Sequence, residues 1–374
     1  MNRLIIFLLF IGFSSILHAQ KSKVISVFQL IETAKYEDAK KAIEEAIIDE
    51  KTMEWPRTWY ARGFLCQTAN DKKKSDLYPD QLYVAFESYE KALELDARGR
   101  VEVQLAPLYV LLANDFQKLG EKHFNSKKYK DALKAFEHAL QINRSPILTV
   151  KIDTNLVYNT ALAAYESKDW GKAIGYLSML HKNNYSTNVT HLLFTGYLEN
   201  GDTLSAERVI LEGIEHYDDK EVLVLLLVDH LFLRDVDRAV SILDVASASG
   251  PDKYIYPYTK GLIYQKTNQY QKAIDAYKEA IDLAQDELKI YKNMGTCYYN
   301  IGVEIEENSR AIINNKSFLE EKAKSIVAFE SAVNCLEKVY EKDPRDQQVI
   351  VKLYELYKVL HITDKLNIMK EQIL

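Results

Sequence analysis

Between Tyr258 and Ala284 the chain reads YTKGLIYQKTNQYQKAIDAYKEAIDLA, with small and apolar residues recurring three and four positions apart. Counted from Gly261, the residues Tyr264, Tyr270, Ala273, Tyr277 and Ala280 stand at offsets 3, 9, 12, 16 and 19. The same offsets return in Leu119–Leu140, as Gly120, His123, Tyr129, Ala132, Phe136 and Ala139. Residues three and four apart lie on one helical face, so both stretches predict amphipathic helices. The longer apolar run Val222–Val228 (VLVLLLV) ends at Asp229 and reads as a buried helix. Only 13 glycines and 7 prolines in 374 residues make a turn-rich β protein improbable, and 47% hydrophobic positions allow a large core. The fold class predicted is all-α.

The two stretches resemble the tetratricopeptide repeat, a helix-turn-helix unit of about 34 residues. In that family a small residue on the first helix lets the second helix approach, an alanine on the second helix is the facing contact, and an aromatic four residues later fills the gap between neighbouring repeats. With the second-helix alanine as marker, repeats fall at Ala39, Ala85, Ala132, Ala173, Ala206, Ala239, Ala273 and Ala332, with Lys365 in the equivalent place of a final pair. The steps are 46, 47, 41, 33, 33, 34, 59 and 33 residues, and three consecutive steps of one repeat length are hard to produce by chance. Pro56, Pro146, Pro251, Pro257 and Pro344 fall between pairs or at helix starts, where a missing N–H costs little. The Ala206 and Ala239 copies depart from the pattern, with Phe194 and Leu227 where glycine is expected. The resemblance implies a right-handed α-solenoid of about eight to nine helix pairs over residues 20–374.

The irregular steps predict two insertions. Asn70–Asp80 (NDKKKSDLYPD) is polar and reads as a long loop. Asn300–Ile326 lacks proline and keeps helix formers, so both helices of the Ala332 pair are expected to lengthen into a projecting hairpin over about 296–343. Its apolar residues Val303, Ile305, Ile312, Ile313, Phe318 and Leu319 either close on one another or dock a partner. Long pairs of this kind resemble those of cell-envelope tetratricopeptide proteins.

At the N-terminus Asn2 and Arg3 precede the apolar run Leu4–Phe13, and Ser14–Ala19 (SSILHA) end in small and polar residues. This is the pattern of a signal peptide, residues 1–19, cleaved after Ala19. As an uncleaved anchor, Leu4–Leu17 would span roughly 21 Å against a hydrocarbon core of about 30 Å. No cysteine lies near the cut, so the expectation is an exported protein, periplasmic or secreted, that is not a lipoprotein and whose mature chain does not insert into a membrane.

Candidate chemistry changes this picture little. Lys plus Arg (48) against Asp plus Glu (54) gives a net charge of −6, which argues against a nucleic-acid partner. No GxGxxG, GxxxxGK[ST], HExxH or GxSxG motif occurs, and the histidines are scattered singly, so no catalytic residue, cofactor or metal site is expected. Carboxylate pairs such as Glu44–Glu45 and Glu320–Glu321 read as solvated. Cys297 and Cys335 fall on the two helices of the lengthened pair and are either a disulfide or two small buried hydrophobes.

What remains is a surface. In this family the first helices line the concave side, chiefly at positions 2, 5, 9, 12 and 13 with the small residue counted as 8. The matching residues here include Tyr60, Phe64, Phe124, Tyr158, Tyr165, Tyr258, Gln265 and Tyr299. They either form an aromatic groove for a protein or peptide partner or pack inside their own repeats. The family's carboxylate clamp, lysine at 5 with asparagine at 9, is absent: Lys292 is followed by Thr296, Gln117 by Glu121 and Tyr258 by Leu262. The expected function is an exported interaction scaffold of a bacterial envelope without enzymatic activity. The alternative is a glycan- or peptidoglycan-binding module whose tyrosines stack on sugar rings.

Overall fold

The computed structural model describes residues 21–72, 74, 76–149 and 153–373. The proposed signal peptide lies outside these residues. Among the described residues there are eighteen helices and no strand. They are α1 (21–32), α2 (Tyr36–Ile48), α3 (Pro56–Asp71), α4 (Gln81–Leu95), α5 (Glu102–Asn125), α6 (Tyr129–Asn143), α7 (Thr154–Glu166), α8 (Trp170–His181) and α9 (Thr187–Glu199). There follow α10 (Thr203–His216), α11 (Glu221–Phe232), α12 (Val236–Ser249), α13 (Ile255–Lys266), α14 (Tyr270–Leu283), α15 (Leu288–Ser309), α16 (Asn315–Lys342), α17 (Gln347–Val359) and α18 (Thr363–Ile373). The chain divides into two compact units, Met1–Val209 and Ile210–Leu374, with the division inside α10. In the first unit α2 to α9 pack each on the next, and in the second α11 to α18 do the same, so each unit is a solenoid of helix-turn-helix pairs.

The turn inside a pair has a recurring form. Ala34, Lys127, Lys168, Gly201, Asn268 and His361 all take positive φ, between 57° and 82°, in the turn that joins the two helices of their pair. The next amide then bonds back five residues, as in Lys128 N–H to His123 O (2.9 Å) and Gln269 N–H to Tyr264 O (2.8 Å). This left-handed closure satisfies the last carbonyls of the first helix and lets the second start at once. Because the turn is constant, the marker alanine falls at the fourth residue of α2, α6, α8, α10 and α14, and also of α12. All eight marker alanines are 0% exposed. The final pair corrects the sequence reading by one position: the fourth residue of α18 is Leu366, half-buried, whereas Lys365 is exposed.

Contact between the helices of a pair is set by one small residue against one ring. A Cβ on Gly63 would lie 2.4 Å from the Tyr89 ring, one on Gly120 2.5 Å from Phe136, and one on Gly261 2.4 Å from Tyr277. The aromatic four residues after the marker therefore covers the glycine of its own pair. It reaches the next pair as well, since the Tyr89 and Tyr109 rings are 6.0 Å apart. Where Leu227 takes the glycine's place, the aromatic becomes Leu243, and both are fully buried; the same core volume is shared differently between the two positions.

The hairpin α15–α16 is a lengthened pair. Gly295 faces Leu336, and seven residues further along α15 and seven back along α16 Gly302 faces Phe329, so the close-approach contact is made twice. Beyond it, Val303, Ile305, Ile312 and Phe318 are half-buried, whereas Ile313 is fully exposed and Leu319 is 56% exposed. The Asn70–Asp80 insertion is likewise less solvated than its composition predicts. Leu77 and Tyr78 are buried, and Lys40 of α2 donates to Leu77 O at 2.5 Å.

A carboxylate five residues after the marker joins successive repeats. Glu44 accepts from Arg62 Nε (2.9 Å) and the Tyr78 hydroxyl (2.7 Å). Glu90 accepts from Tyr109, Glu137 from Lys172 and Tyr176, and Glu337 from Tyr357 and Lys365. Glu44, read as solvated from its neighbours, is thus part of the packing. A carboxylate held by a phenol and a cation keeps its charge while part of its surface leaves water. Burial and the neighbouring Glu137 push the Tyr176 phenol up to about 12. The Glu337 carboxyl, despite burial, is held below its usual value by Lys365 and Tyr357.

Candidate functional site

The eight candidate residues are all half-buried, and they divide between the two units: Tyr60, Phe64, Phe124, Tyr158 and Tyr165 in the first, Tyr258, Gln265 and Tyr299 in the second. Each sits on the first helix of its pair, within about one turn of the residue at position 8.

In α3, Tyr60 and Phe64 are one turn apart with rings nearly parallel, 4° between planes and 6.3 Å between centroids. Phe28 of α1 lies 5.9 Å from both. The three rings form the wall of a groove of about 650 Å³ that Ile31, Tyr36 and Thr68 continue, with Glu32, Lys72 and Lys74 at its rim. Phe28 was not among the sequence candidates, although counting twelve back from Ala39 places Val27 at position 8 and Phe28 at 9. Burial raises the Tyr60 phenol above its ordinary value, an effect that Arg57 partly opposes. Its hydroxyl has no hydrogen-bond partner among the described residues.

The other candidates are more fully used by the fold. Phe124 packs edge-on to Tyr129 at 5.2 Å and borders a smaller hollow of about 220 Å³ with Glu121, Asn125 and Asn159. Tyr158 stacks on Tyr185 at 5.4 Å and accepts from Asn188 Nδ2 at 3.0 Å. Tyr165 lies edge-on to Trp170 at 5.2 Å, and burial raises its phenol despite a hydrogen bond to Thr195. In the second unit Tyr258 accepts from Asn293 Nδ2 at 3.1 Å, and Lys289 lies 5.3 Å above its ring. Gln265 accepts the Tyr277 hydroxyl at 2.6 Å. Tyr299 lies 5.9 Å from Phe329, with Lys352 3.8 Å above its ring. The fold uses these residues differently at different places. Tyr158, Tyr258 and Gln265 tie adjacent helices together, while Tyr60 and Phe64 line an open groove.

Among the described residues no group of three or more His, Cys, Asp or Glu could hold a metal ion, and no helix is long and apolar enough to cross a membrane. Cys66, Cys297 and Cys335 are free and buried. Burial pushes the Cys66 and Cys297 thiols up to about 12 and the Cys335 thiol to about 11. They behave as the small hydrophobes that one of the two sequence readings assigned to Cys297 and Cys335.

Comparison with known proteins adds the following. No protein of curated function matches the sequence. Among solved structures, a TPR repeats protein from Bacteroides fragilis NCTC 9343 is 19% identical, over 66% of this chain and 98% of that one, with a TM-score of 0.37. The C-terminal part of a TPR repeat-containing protein from Cytophaga hutchinsonii is 10% identical, over 69% of this chain and 93% of that one, at 0.45. The TPR2AB domain of yeast Sti1, solved as a complex with pHSP90, is 16% identical over 70% of this chain and 89% of that one, at 0.25. The family model described as tetratricopeptide repeat matches residues 258–287, the α13–α14 pair. Residues 258–287 are therefore a tetratricopeptide repeat, set among helix pairs that repeat its alanine and turn geometry along both units.

Proposed function

We propose that this chain is an exported binding module that holds a segment of a protein or peptide partner on the first-helix faces of its repeats, without catalysing a reaction. Tetratricopeptide repeats in general mediate protein–protein interaction. The single observation that carries the reading is the groove between α1 and α3, where Phe28, Tyr60 and Phe64 leave one side of their rings uncovered. A preformed aromatic wall gives contact area with little side-chain entropy left to lose, which suits a polypeptide ligand. The glycan alternative calls for acids and amides around exposed rings. Here the rim carries two lysines and one acid, which favours the peptide reading.

Export rests on the residue pattern of positions 1–19. Mass spectrometry of the protein recovered from its native cell envelope tests it, with a new terminus at Gln20 as the expected result and an intact Met1 as the result against it. The binding reading is tested with a photo-crosslinking residue in place of Phe64 in the groove and, separately, in place of the exposed Lys130 on α6. Polypeptide adducts are expected at the first position and not the second. Equal labelling at both would remove the groove from consideration.

A further inference from the structure

Resting on that reading, we infer that the α1–α3 groove selects a polypeptide segment in which a bulky apolar side chain is flanked on both sides by carboxylates. Three observations converge. First, the groove is cationic in a chain whose net charge is −6: Lys72 and Lys74 stand at its rim, and Arg57 lies 5.3 Å from the Phe28 ring, against the single acid Glu32. Second, Lys72 and Lys74 are exposed, and neither has a carboxylate partner among the described residues, whereas the lysines of α8, α13 and α18 named Lys172, Lys260 and Lys365 are all paired. Unpaired cations beside a desolvated aromatic wall attract an acidic ligand at no cost of breaking an internal ion pair. Third, the charges are at the two ends of one helix. Arg57 and Lys72 are fifteen residues apart along α3, about 22 Å at 1.5 Å per residue, with Tyr60, Phe64 and Thr68 between them. That span is the reach of about six or seven extended residues. A ligand anchored by an apolar side chain against Phe64 would then meet a cation in either direction along its backbone. The unpartnered Tyr60 hydroxyl is placed to bond that backbone.

The test uses three labelled heptapeptides with the full chain: Ac-Glu-Asp-Gly-Phe-Gly-Asp-Glu-amide, the same peptide with Gln and Asn for the acids, and the same with Lys at all four. Fluorescence anisotropy is expected to rank them acidic, neutral, basic, with about tenfold between the first two at low salt and less at high salt. Lys72→Glu with Lys74→Glu is expected to remove that preference while leaving the circular dichroism unchanged, since both side chains are exposed. Thr68→Trp, which fills the groove without removing a core ring, is expected to weaken the acidic and neutral peptides together. Equal binding of acidic and neutral peptides, both lost in Thr68→Trp, would overturn the charge selection and leave the groove reading intact. Binding of no peptide, or binding that Thr68→Trp leaves untouched, would overturn both.

Discussion

Glu137 and Tyr176, 39 residues apart in sequence, meet at 3.1 Å between carboxylate and hydroxyl, and Lys172 one turn before Tyr176 donates to the other oxygen at 2.8 Å. The contact joins α6 to α8, the second helices of successive pairs. Its counterparts at Glu44, Glu90 and Glu337 occupy the same place relative to their marker alanines. Removing the carboxylate by Glu137→Ala leaves a phenol and an ammonium without their acceptor and is expected to lower stability by about 1.5–2 kcal/mol. Glu137→Gln should recover part of this. Urea denaturation followed by circular dichroism measures both, and no difference between the two variants would show the contact to be mere proximity.

Raised phenols and a lowered carboxyl make the stability depend on pH at both ends of the scale. A phenol whose folded pKa is raised contributes stability that is complete below its unfolded value near 10 and lost as pH climbs through the folded value. For Tyr176 and Tyr83, both pushed up to about 12, that window is pH 10 to 12. Glu337 has the opposite sign. Its folded pKa is depressed from 4.5, so its contribution is present above that value and lost as pH falls through the folded one. Helicity measured against pH should drop at both extremes, and Tyr176→Phe should blunt the alkaline limb. An alkaline limb unchanged in that variant would assign it elsewhere.

Glycine positions that look alike in sequence should respond oppositely to alanine. A Cβ at Gly261 would enter the Tyr277 ring at 2.4 Å, so Gly261→Ala is expected to cost about 2 kcal/mol. Gly175, exposed inside α8 with nothing within 4 Å of its missing Cβ, should gain about 0.5–1 kcal/mol on becoming alanine. Thermal unfolding of the two variants checks the pair, and the same sign for both would contradict the packing described.

The cysteines should be silent. With all three buried and their thiols pushed up to about 11 or 12, native protein is expected to take up no iodoacetamide at pH 8 and three equivalents after denaturation in guanidinium. Mass spectrometry counts the adducts. Rapid labelling of Cys297 in the native state would mean that the α15–α16 pair opens.

In the ring-bearing candidates, those that tie helices should differ from those that line the groove. Tyr258→Phe loses the Asn293 hydrogen bond and is expected to cost about 1 kcal/mol of stability while leaving binding unchanged. Tyr60→Phe removes a hydroxyl with no internal partner and should leave stability alone. Denaturant titration and peptide anisotropy on both variants separate the two roles.

The repeat was legible because its signals are local. An alanine three or four residues from its aromatic, in phase with one helical face, announces both helix and buried side, and every marker alanine found that way is fully buried. The final pair was misplaced by one residue because the 33-residue step leads to Lys365, whereas the left-handed turn at His361 puts Leu366 in the alanine's place; a φ angle leaves little trace in composition when lysine, asparagine, alanine and histidine all adopt it. Which tyrosine is spent on packing and which stays open depended on the neighbouring helix. Tyr158 and Tyr258 meet an asparagine 30 and 35 residues away, whereas Tyr60 meets Phe28 and an empty groove. The carboxylate contacts were hidden for the same reason. Residue types along one helix determine what that helix can bury, but whether a given phenol or carboxylate finds a partner depends on a side chain a full repeat away, and only the stacked structure brings the two together.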